Sequence, residues 1–133
     1  MAFLLDTNAW IVYLKSPTSK IRDRLEKLRP ADVSLCSVVK AELLHGAEKY
    51  GNRQRRLAIL EQLFAPYVSL PFDDRAASAY GQIRHELEVV GKVIGPNDLM
   101  IAAIAQSNKL TLVTSDTAEF GRITGLQLED WQS

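Results

Sequence analysis

Short apolar runs alternate with amphipathic helical segments along this 133-residue chain. This alternation is typical of a parallel β-sheet, because parallel strands can be joined only by crossover connections, which are usually helical. We therefore predict one α/β domain over residues 1–133, with a parallel central sheet and helices on both faces. The apolar runs, each too short for a helix, are residues 3–5, 33–36, 68–70, 111–114 and 126–128.

Capping residues and helix breakers bound the helical segments. Ser37 suits the N-cap of a helix that runs to about residue 48, and Asp73 suits the N-cap of a long helix that ends near residue 90. A helix that follows Gly95-Pro96 and runs to residue 107 is apolar nearly all round, so we expect it to be buried. The other helices are predicted at residues 8–14, 18–28, 53–64 and 118–122.

The composition is that of an ordinary folded domain. The chain is 47% hydrophobic and has a single cysteine, Cys36, so it can bury a core but cannot form an intrachain disulfide. No apolar stretch is long enough for a membrane span, and the N-terminus lacks the pattern of a signal peptide. We therefore expect a cytoplasmic protein.

Charge is balanced overall but unevenly distributed. Sixteen Lys and Arg stand against sixteen Asp and Glu, for a net charge of zero, which taken alone argues against nucleic-acid binding. The basic excess lies in residues 1–60 and peaks at Lys49, Arg53, Arg55 and Arg56. For any one of these residues, a solvated helix face is a more common explanation than a specific binding surface.

Acidic residues follow the ends of several predicted strands, where ligands bind in open α/β sheets. Most of these acids alone have a structural explanation, as a helix cap or as a charge that complements a helix dipole. Glu42 is the exception, because a carboxylate on the apolar side of a helix is costly to desolvate. Together the acids would repel one another strongly, so the cluster holds either protons or a cation. Oxygen ligands without His or Cys suit Mg²⁺ or Mn²⁺, ions that assist phosphodiester hydrolysis. The acids are Asp6, Glu42, Asp98, Asp116 and Glu119.

Four short motifs stand in order along the chain: Asp6-Thr7-Asn8, Ser37-x-x-x-x-Glu42, Gly95-Pro96-x-Asp98 and Thr114-x-Asp116-x-x-Glu119-Phe120. Together they resemble the motifs of PIN-domain nucleases. The resemblance covers nearly the whole chain and is strongest to the VapC toxins of bacterial toxin–antitoxin pairs, including the Glu129-Asp130-Trp131 ending.

The resemblance implies a catalytic set of Asp6, Glu42, Asp98 and Asp116, in which the three aspartates hold most of the metal. It implies that Glu42 ligates the metal or orients the attacking water. Supporting roles fall to Asn8, Thr114 and Glu119.

Similar toxins are Mg²⁺- or Mn²⁺-dependent endoribonucleases that act as homodimers on tRNA or other structured RNA. A cognate VapB-like antitoxin silences them by inserting its C-terminal segment into the active-site groove. If this chain acts likewise, we hypothesise that Arg53, Arg55 and Arg56 contribute to RNA capture.

Three other interpretations are open. A noncatalytic PIN-like module that binds RNA or protein typically lacks one or more of the acids, and this chain keeps them all. A phosphoacceptor signalling domain would have a second acid near Asp6 and a lysine after a late strand, and neither is present. Metal-free cleavage through the ribose 2′-OH would need His45 and His85 to act as acid and base.

Overall fold

Five strands form one fully parallel sheet in the order β3-β2-β1-β4-β5. The computed structural model describes residues 2–133. Seven α-helices and a 3₁₀ turn, Pro30–Asp32, connect the described strands. The strands are β1 (Phe3–Leu5), β2 (Val33–Cys36), β3 (Val68–Leu70), β4 (Thr111–Val113) and β5 (Leu128–Glu129). The helices are α1 (Thr7–Lys15), α2 (Lys20–Glu26), α3 (Ser37–Lys49), α4 (Arg53–Phe64), α5 (Asp74–Val89), α6 (Pro96–Ser107) and α7 (Thr117–Phe120).

The strand order reverses at β1. The chain passes outward from β1 to β2 and β3, then returns through α5 and α6 to β4 on the other side of β1. Right-handed crossovers in the two directions place helices on both faces of the sheet, which confirms the predicted architecture. The crevice of such a sheet lies at this switch point, beyond the carboxyl ends of β1 and β4.

Helix α6 forms the centre of the core. Its residues Leu99 and Ile101 to Ala105 are at most 1% exposed, as the apolar sequence predicts. Small alanine side chains in this run allow close packing, and α5 packs along the same helix. The N-terminus of α6 is therefore held firmly at the edge of the sheet.

Two predicted boundaries are wrong. Cys36, rather than Ser37, is the N-cap of α3, because β2 pairs with β3 as far as Cys36 and the chain turns directly from strand into helix. Ser37 is the first helical residue, and its hydroxyl donates to the Leu70 carbonyl at 3.5 Å. The last strand is Leu128–Glu129 rather than residues 126–128, because its register with β4 starts at Leu128.

Other boundaries move by one or two residues, the usual uncertainty at element ends. Asp73 is confirmed as the N-cap of α5, where its Oδ1 accepts the Ala76 N–H at 3.0 Å. Among residues 2–133, no helix has the length and apolar character needed to cross a membrane.

Candidate active site

All four predicted catalytic acids line one cavity of about 340 Å³ at the switch point of the sheet. Asp6 directly follows β1, Asp116 lies just after β4, and Asp98 is in the first turn of α6. Glu42 reaches the cavity from α3. The other lining residues are Thr7, Asn8, Ile11, Ser115 and Phe120.

Asp6 is the most deeply placed of these acids, with 7% of its surface exposed. Its backbone N–H donates to the Val113 carbonyl at 3.0 Å, and its Oδ1 accepts the Ala9 N–H at 2.9 Å as the N-cap of α1. Burial raises the pKa of Asp6, and repulsion from Asp116 and Glu42 adds to the rise, while the Thr114 and Ala9 hydrogen bonds oppose it.

Thr114 joins two of the acids. The side chain is buried, with 1% exposure, and its interaction with the Asp6 carboxylate lowers the pKa of that acid. The Thr114 hydroxyl oxygen accepts the Asp116 N–H at 3.0 Å. Thr114 therefore lies between the acids that follow β1 and β4, and its supporting role stays a prediction.

Glu42 is held through both of its carboxylate oxygens. Thr7 Oγ1 donates to Oε1 at 2.5 Å, and Asn97 Nδ2 approaches Oε2 at 3.5 Å. Thr7 and Asn97 are each adjacent in sequence to a predicted metal-binding aspartate, so the same chain segments position both kinds of acid. In the sequence, Thr7 stands out only as part of the Asp6-Thr7-Asn8 motif, and no pattern points to Asn97.

Asn8 lies in the cavity wall, where it was predicted to hydrogen-bond an acid. Within residues 2–133 the structure shows no such bond. The hydrogen bond to Glu42 comes from the neighbouring Thr7 instead, because the first turn of α1 directs that side chain toward α3.

Asp98 is the electrostatic centre of the cluster. Burial, followed by repulsion from Glu119, Glu42, Asp6 and Asp116, raises the pKa of Asp98 to about 6. Every other acid of the set thus acts on this one carboxyl group. Near neutral pH the site holds closely spaced negative charge, which a cation or a proton would stabilise.

Glu119 lies beside the cavity rather than in its lining. Its backbone N–H donates to Asp116 Oδ1 at 3.2 Å, which caps α7. A hydrogen bond to the Asp116 side chain, then burial and repulsion from Asp116, raise the pKa of Glu119, whereas the Gly95 N–H and Arg122 oppose the rise. Glu119 therefore links α7 to the start of α6.

The donor chemistry of the cavity fits a hard divalent cation. All four acids supply oxygen, and Mg²⁺ typically uses one or two carboxylates while keeping several waters. No group of three or more His, Cys, Asp or Glu side chains in the described part of the chain stands close enough to hold a metal ion. A Mg²⁺ ion bound here would therefore keep several water ligands beside one or two carboxylates.

The two histidines are not placed for joint acid–base catalysis. Both are exposed, and neither lines the acidic cavity. His85 lies instead beside a separate cavity next to Arg122 and Ile123. The structure therefore does not favour the metal-free mechanism that these residues would serve.

An apolar groove of about 460 Å³ lies beside the acidic cavity. Ile11 and Glu42 line both spaces, so the two are adjacent. The groove runs between α1, α3 and α4, and its remaining walls are Leu14, Lys15, Leu43, Gly46, Ala47, Tyr50, Arg56, Ile59 and Leu60.

The three arginines of the predicted RNA-capture cluster occupy different environments. Arg53 Nε pairs with the Glu48 carboxylate at 2.7 Å, which offsets its charge locally. Arg56 lines the apolar groove and donates from Nε to the Gly51 carbonyl at 2.8 Å. Arg55 is exposed on α4 and is not among the residues that line the groove.

The chain is similar to known proteins over nearly its full length. Residues 3–126 match the family model described as PIN domain. The chain is 40% identical over 131 residues to the tRNA(fMet)-specific endonuclease VapC of Shigella flexneri, with 98% of each chain covered. It is 34% identical over 131 residues to Ribonuclease VapC2 of Haemophilus influenzae, again with 98% of each covered.

Solved structures show the same fold. The chain superposes on a chain of the DNA-bound VapBC complex from Salmonella typhimurium with a TM-score of 0.93, at 40% identity and with 98% of each chain covered. For VapBC2 from Rickettsia felis, bound to a promoter DNA fragment, the TM-score is 0.89 at 31% identity, covering 98% of this chain and 99% of that one.

Proposed function

This chain belongs to the PIN-domain family, among the VapC-type ribonucleases, and on that premise we propose that it is a metal-dependent endoribonuclease and the toxin of a toxin–antitoxin pair. The observation that supports the activity best is the convergence of Asp6, Glu42, Asp98 and Asp116 on one cavity. The pKa of Asp98, raised to about 6, supports a cluster that favours a cation.

In the proposed reaction Asp6, Asp98 and Asp116 would hold Mg²⁺, for which Mn²⁺ could substitute. When bound, the ion would lower the pKa of an attacking water and offset negative charge on the phosphate. Glu42, oriented by Thr7 and Asn97, would direct a water at the phosphorus in line with the leaving ribose oxygen. Thr114, which accepts the Asp116 N–H and interacts with Asp6, would support both acids.

We propose a structured RNA, in the first place a tRNA, as the substrate. The relative in Shigella flexneri is named for its specificity toward tRNA(fMet), and it matches 98% of this chain at 40% identity. That tRNA is therefore the first substrate to test.

The proposed inhibitor is a VapB-like antitoxin. The similar structures from Salmonella typhimurium and Rickettsia felis are VapBC complexes. The apolar groove beside the acidic cavity offers a surface on which an apolar C-terminal segment of such a partner can pack.

We also propose that the protein acts in the cytoplasm as a homodimer. Three valines near the end of α5 remain 71%, 62% and 48% exposed, namely Val89, Val90 and Val93. Because adjacent exposed apolar side chains are unfavourable in water, this valine patch is a candidate surface for self-association.

The test is cleavage of tRNA by the purified chain with and without Mg²⁺. We expect cleavage in Mg²⁺ or Mn²⁺, none with EDTA, and a loss of at least about 100-fold in the Asp6→Ala variant. Glu61→Gln, which removes an exposed acid on α4 away from the cavity, serves as the matched control and should cleave normally.

The chemistry of the product ends provides a second test. Attack by water leaves no cyclic phosphate, whereas attack by the ribose 2′-OH leaves a 2′,3′-cyclic phosphate. Cleavage that persisted in EDTA and produced cyclic ends would contradict the proposed mechanism. RNA binding without any cleavage would favour the noncatalytic module.

A further inference from the structure

Tyr50 stands at the end of the apolar groove, on the same helix as Glu42. It is the C-cap residue of α3, and the residue is 64% exposed although it lines the groove. Glu42 and Tyr50 are eight positions apart, which corresponds to about 12 Å along a helix axis. A strand of RNA that passes through the acidic cavity therefore has an exposed aromatic ring within reach.

Two cations flank this ring. Lys49 Nζ lies 5.3 Å and Arg56 Cζ lies 6.0 Å from the ring centroid of Tyr50. Gly51 and Asn52 make the turn that brings α4 back over Tyr50, with positive φ angles of 80° and 51°, and Arg56 is fixed to this turn through the Gly51 carbonyl.

These two cations are available to an external anion. In the part of the chain that the structure describes, neither Lys49 nor Arg56 forms an ion pair with a carboxylate. Arg53, four residues from Lys49, is instead paired with Glu48. The positive charge beside Tyr50 is therefore not neutralised within the protein.

We propose that Tyr50, Lys49 and Arg56 form a nucleotide-binding site for the RNA substrate, in which a base stacks on the Tyr50 ring and the two cations contact its phosphates. This proposal rests on the proposed ribonuclease function. An exposed aromatic ring flanked by cations is the combination that proteins use to hold single-stranded nucleic acid.

The electrostatics of the cleavage site explain why such a contact is needed. Four carboxylates line the cavity, so it repels a phosphate backbone unless a cation is bound. Binding energy for RNA must therefore come largely from outside the cavity. The site at Tyr50 supplies both charge and stacking in the groove beside the cavity.

The experiment measures binding of a fluorescently labelled single-stranded 12-nucleotide RNA in Mg²⁺, using the Asp98→Asn protein so that the RNA stays intact. Tyr50→Leu in this background should weaken binding by about five- to tenfold, which lies at the low end of the range for one stacked base. Tyr50→Phe keeps the ring and should bind like the parent.

Two controls separate stacking from other effects. An abasic sugar–phosphate oligomer of the same length should bind equally to the parent and to Tyr50→Leu, because it has no base to stack. Lys49→Gln and Arg56→Gln should each reduce the slope of log K against log salt concentration by about 0.7, as expected for one lost phosphate contact with a single strand. Arg53→Gln changes the net charge equally and should leave the slope unchanged.

The proposal would be overturned if Tyr50→Leu bound the RNA as tightly as the parent does. It would also be overturned if this substitution weakened the binding of the RNA and of the abasic oligomer equally. An effect of Tyr50→Leu on antitoxin binding alone would assign the surface to a protein partner and overturn it as well. If the Asp98→Asn parent bound no RNA at all, the proposed function would fail together with this site. Thermal unfolding of each variant checks that the exposed substitutions leave the fold intact.

Discussion

Threonine hydroxyls determine the geometry of the acidic side chains in this site. Thr114 accepts the Asp116 N–H and lowers the pKa of Asp6, and Thr7 donates to Glu42. Both threonines follow a strand directly or within two residues, so the sheet places their hydroxyls at its carboxyl edge. The orientation of each acid therefore depends on a neutral neighbour as much as on its own backbone.

Replacing Thr7 with valine removes the hydroxyl but keeps the shape of the side chain. Hydrogen bonds to charged groups contribute about 1.5–3 kcal/mol, so we expect kcat to fall about 10- to 100-fold if Glu42 orients the attacking water. KM should change little, because substrate binding does not use this bond. Steady-state kinetics on tRNA would measure both constants.

The matched variants for this prediction are Thr7→Ser and Asn8→Ala. Serine retains the donor and should restore most of the rate, whereas Asn8, which lines the cavity without bonding an acid, should tolerate alanine. If kcat fell equally in Thr7→Val and Thr7→Ser, the effect on the rate would not come from the hydrogen bond, because serine retains the donor.

Asp98→Asn should abolish cleavage while leaving the metal-free protein at least as stable as the wild type. The folded pKa of Asp98, about 6, lies above its ordinary value, so ionisation of this group in the folded state reduces stability. This loss grows as pH rises from about 4 to about 6 and is complete above the folded pKa. After allowance for solvent screening and the helix dipole, we expect the free energy of unfolding of the variant to be about 1 kcal/mol higher than that of the wild type at pH 7.5.

Thermal unfolding at several pH values in EDTA provides the measurement. The difference in Tm between Asp98→Asn and wild type should shrink as pH falls below about 6 and vanish below about pH 3, where the Asp98 carboxyl is protonated in both the folded and the unfolded form. Added Mg²⁺ should raise the Tm of the wild type more than that of the variant. A variant that unfolded readily at pH 7.5 would show that Asp98 has mainly a structural role.

The ends of the helices determine where the functional residues lie. The N-termini of α1, α6 and α7 each present an acid to the cavity, and two of these acids, Asp6 and Asp116, also cap their helices. Capping depends on residues within one turn, so the sequence predicts such positions well. Ser37 shows the limit, because β2 runs on to Cys36 and takes the cap position from it.

Asp73 offers a test of helix capping that is independent of the site. Its Oδ1 accepts the Ala76 N–H at 3.0 Å, so Asp73→Ala should lower the free energy of unfolding by about 1 kcal/mol without changing the cleavage rate. Urea unfolding with an assay of tRNA cleavage would measure both effects. Asp74→Ala removes a first-turn acid but no cap, so it should lower the free energy of unfolding by less than Asp73→Ala does. Similar decreases in the free energy of unfolding of the two variants would indicate that charge, rather than the cap, stabilises α5.

Across the whole molecule, the zero net charge conceals two opposite regions. The four acids of the cavity and the adjacent Glu119 are concentrated at one edge of the sheet, while basic residues lie on α3 and α4 beside the groove. With those five acids set aside, sixteen positive residues face eleven negative ones. A neutral total therefore does not exclude RNA as a ligand, because charge acts locally within a Debye length of about 8–10 Å.

Self-association is testable on the valine patch of Val89, Val90 and Val93. Replacing Val89 and Val90 with lysine should shift the protein from dimer to monomer at micromolar concentration, because burying two ammonium groups in an apolar interface is strongly unfavourable. Light scattering coupled to size-exclusion chromatography gives the mass directly. Ser78→Lys, an exposed change on the same helix, should leave the mass unaltered. A dimer that survived both valine changes would place the interface elsewhere.

Sequence alone determined the parallel α/β architecture, nearly every helix and strand, and the acids that gather at the sheet edge. These features follow from periodicity, capping and the rule that parallel strands share one carboxyl edge, all of which are readable locally. Tertiary structure decided which partners those acids have. The bonds from Thr7 and Asn97 to Glu42 span 35 and 55 residues, and the groove beside the cavity, which Tyr50 lines, exists only where α1, α3 and α4 meet. Contacts of that separation depend on helix packing angles and rotamers, which no local pattern encodes.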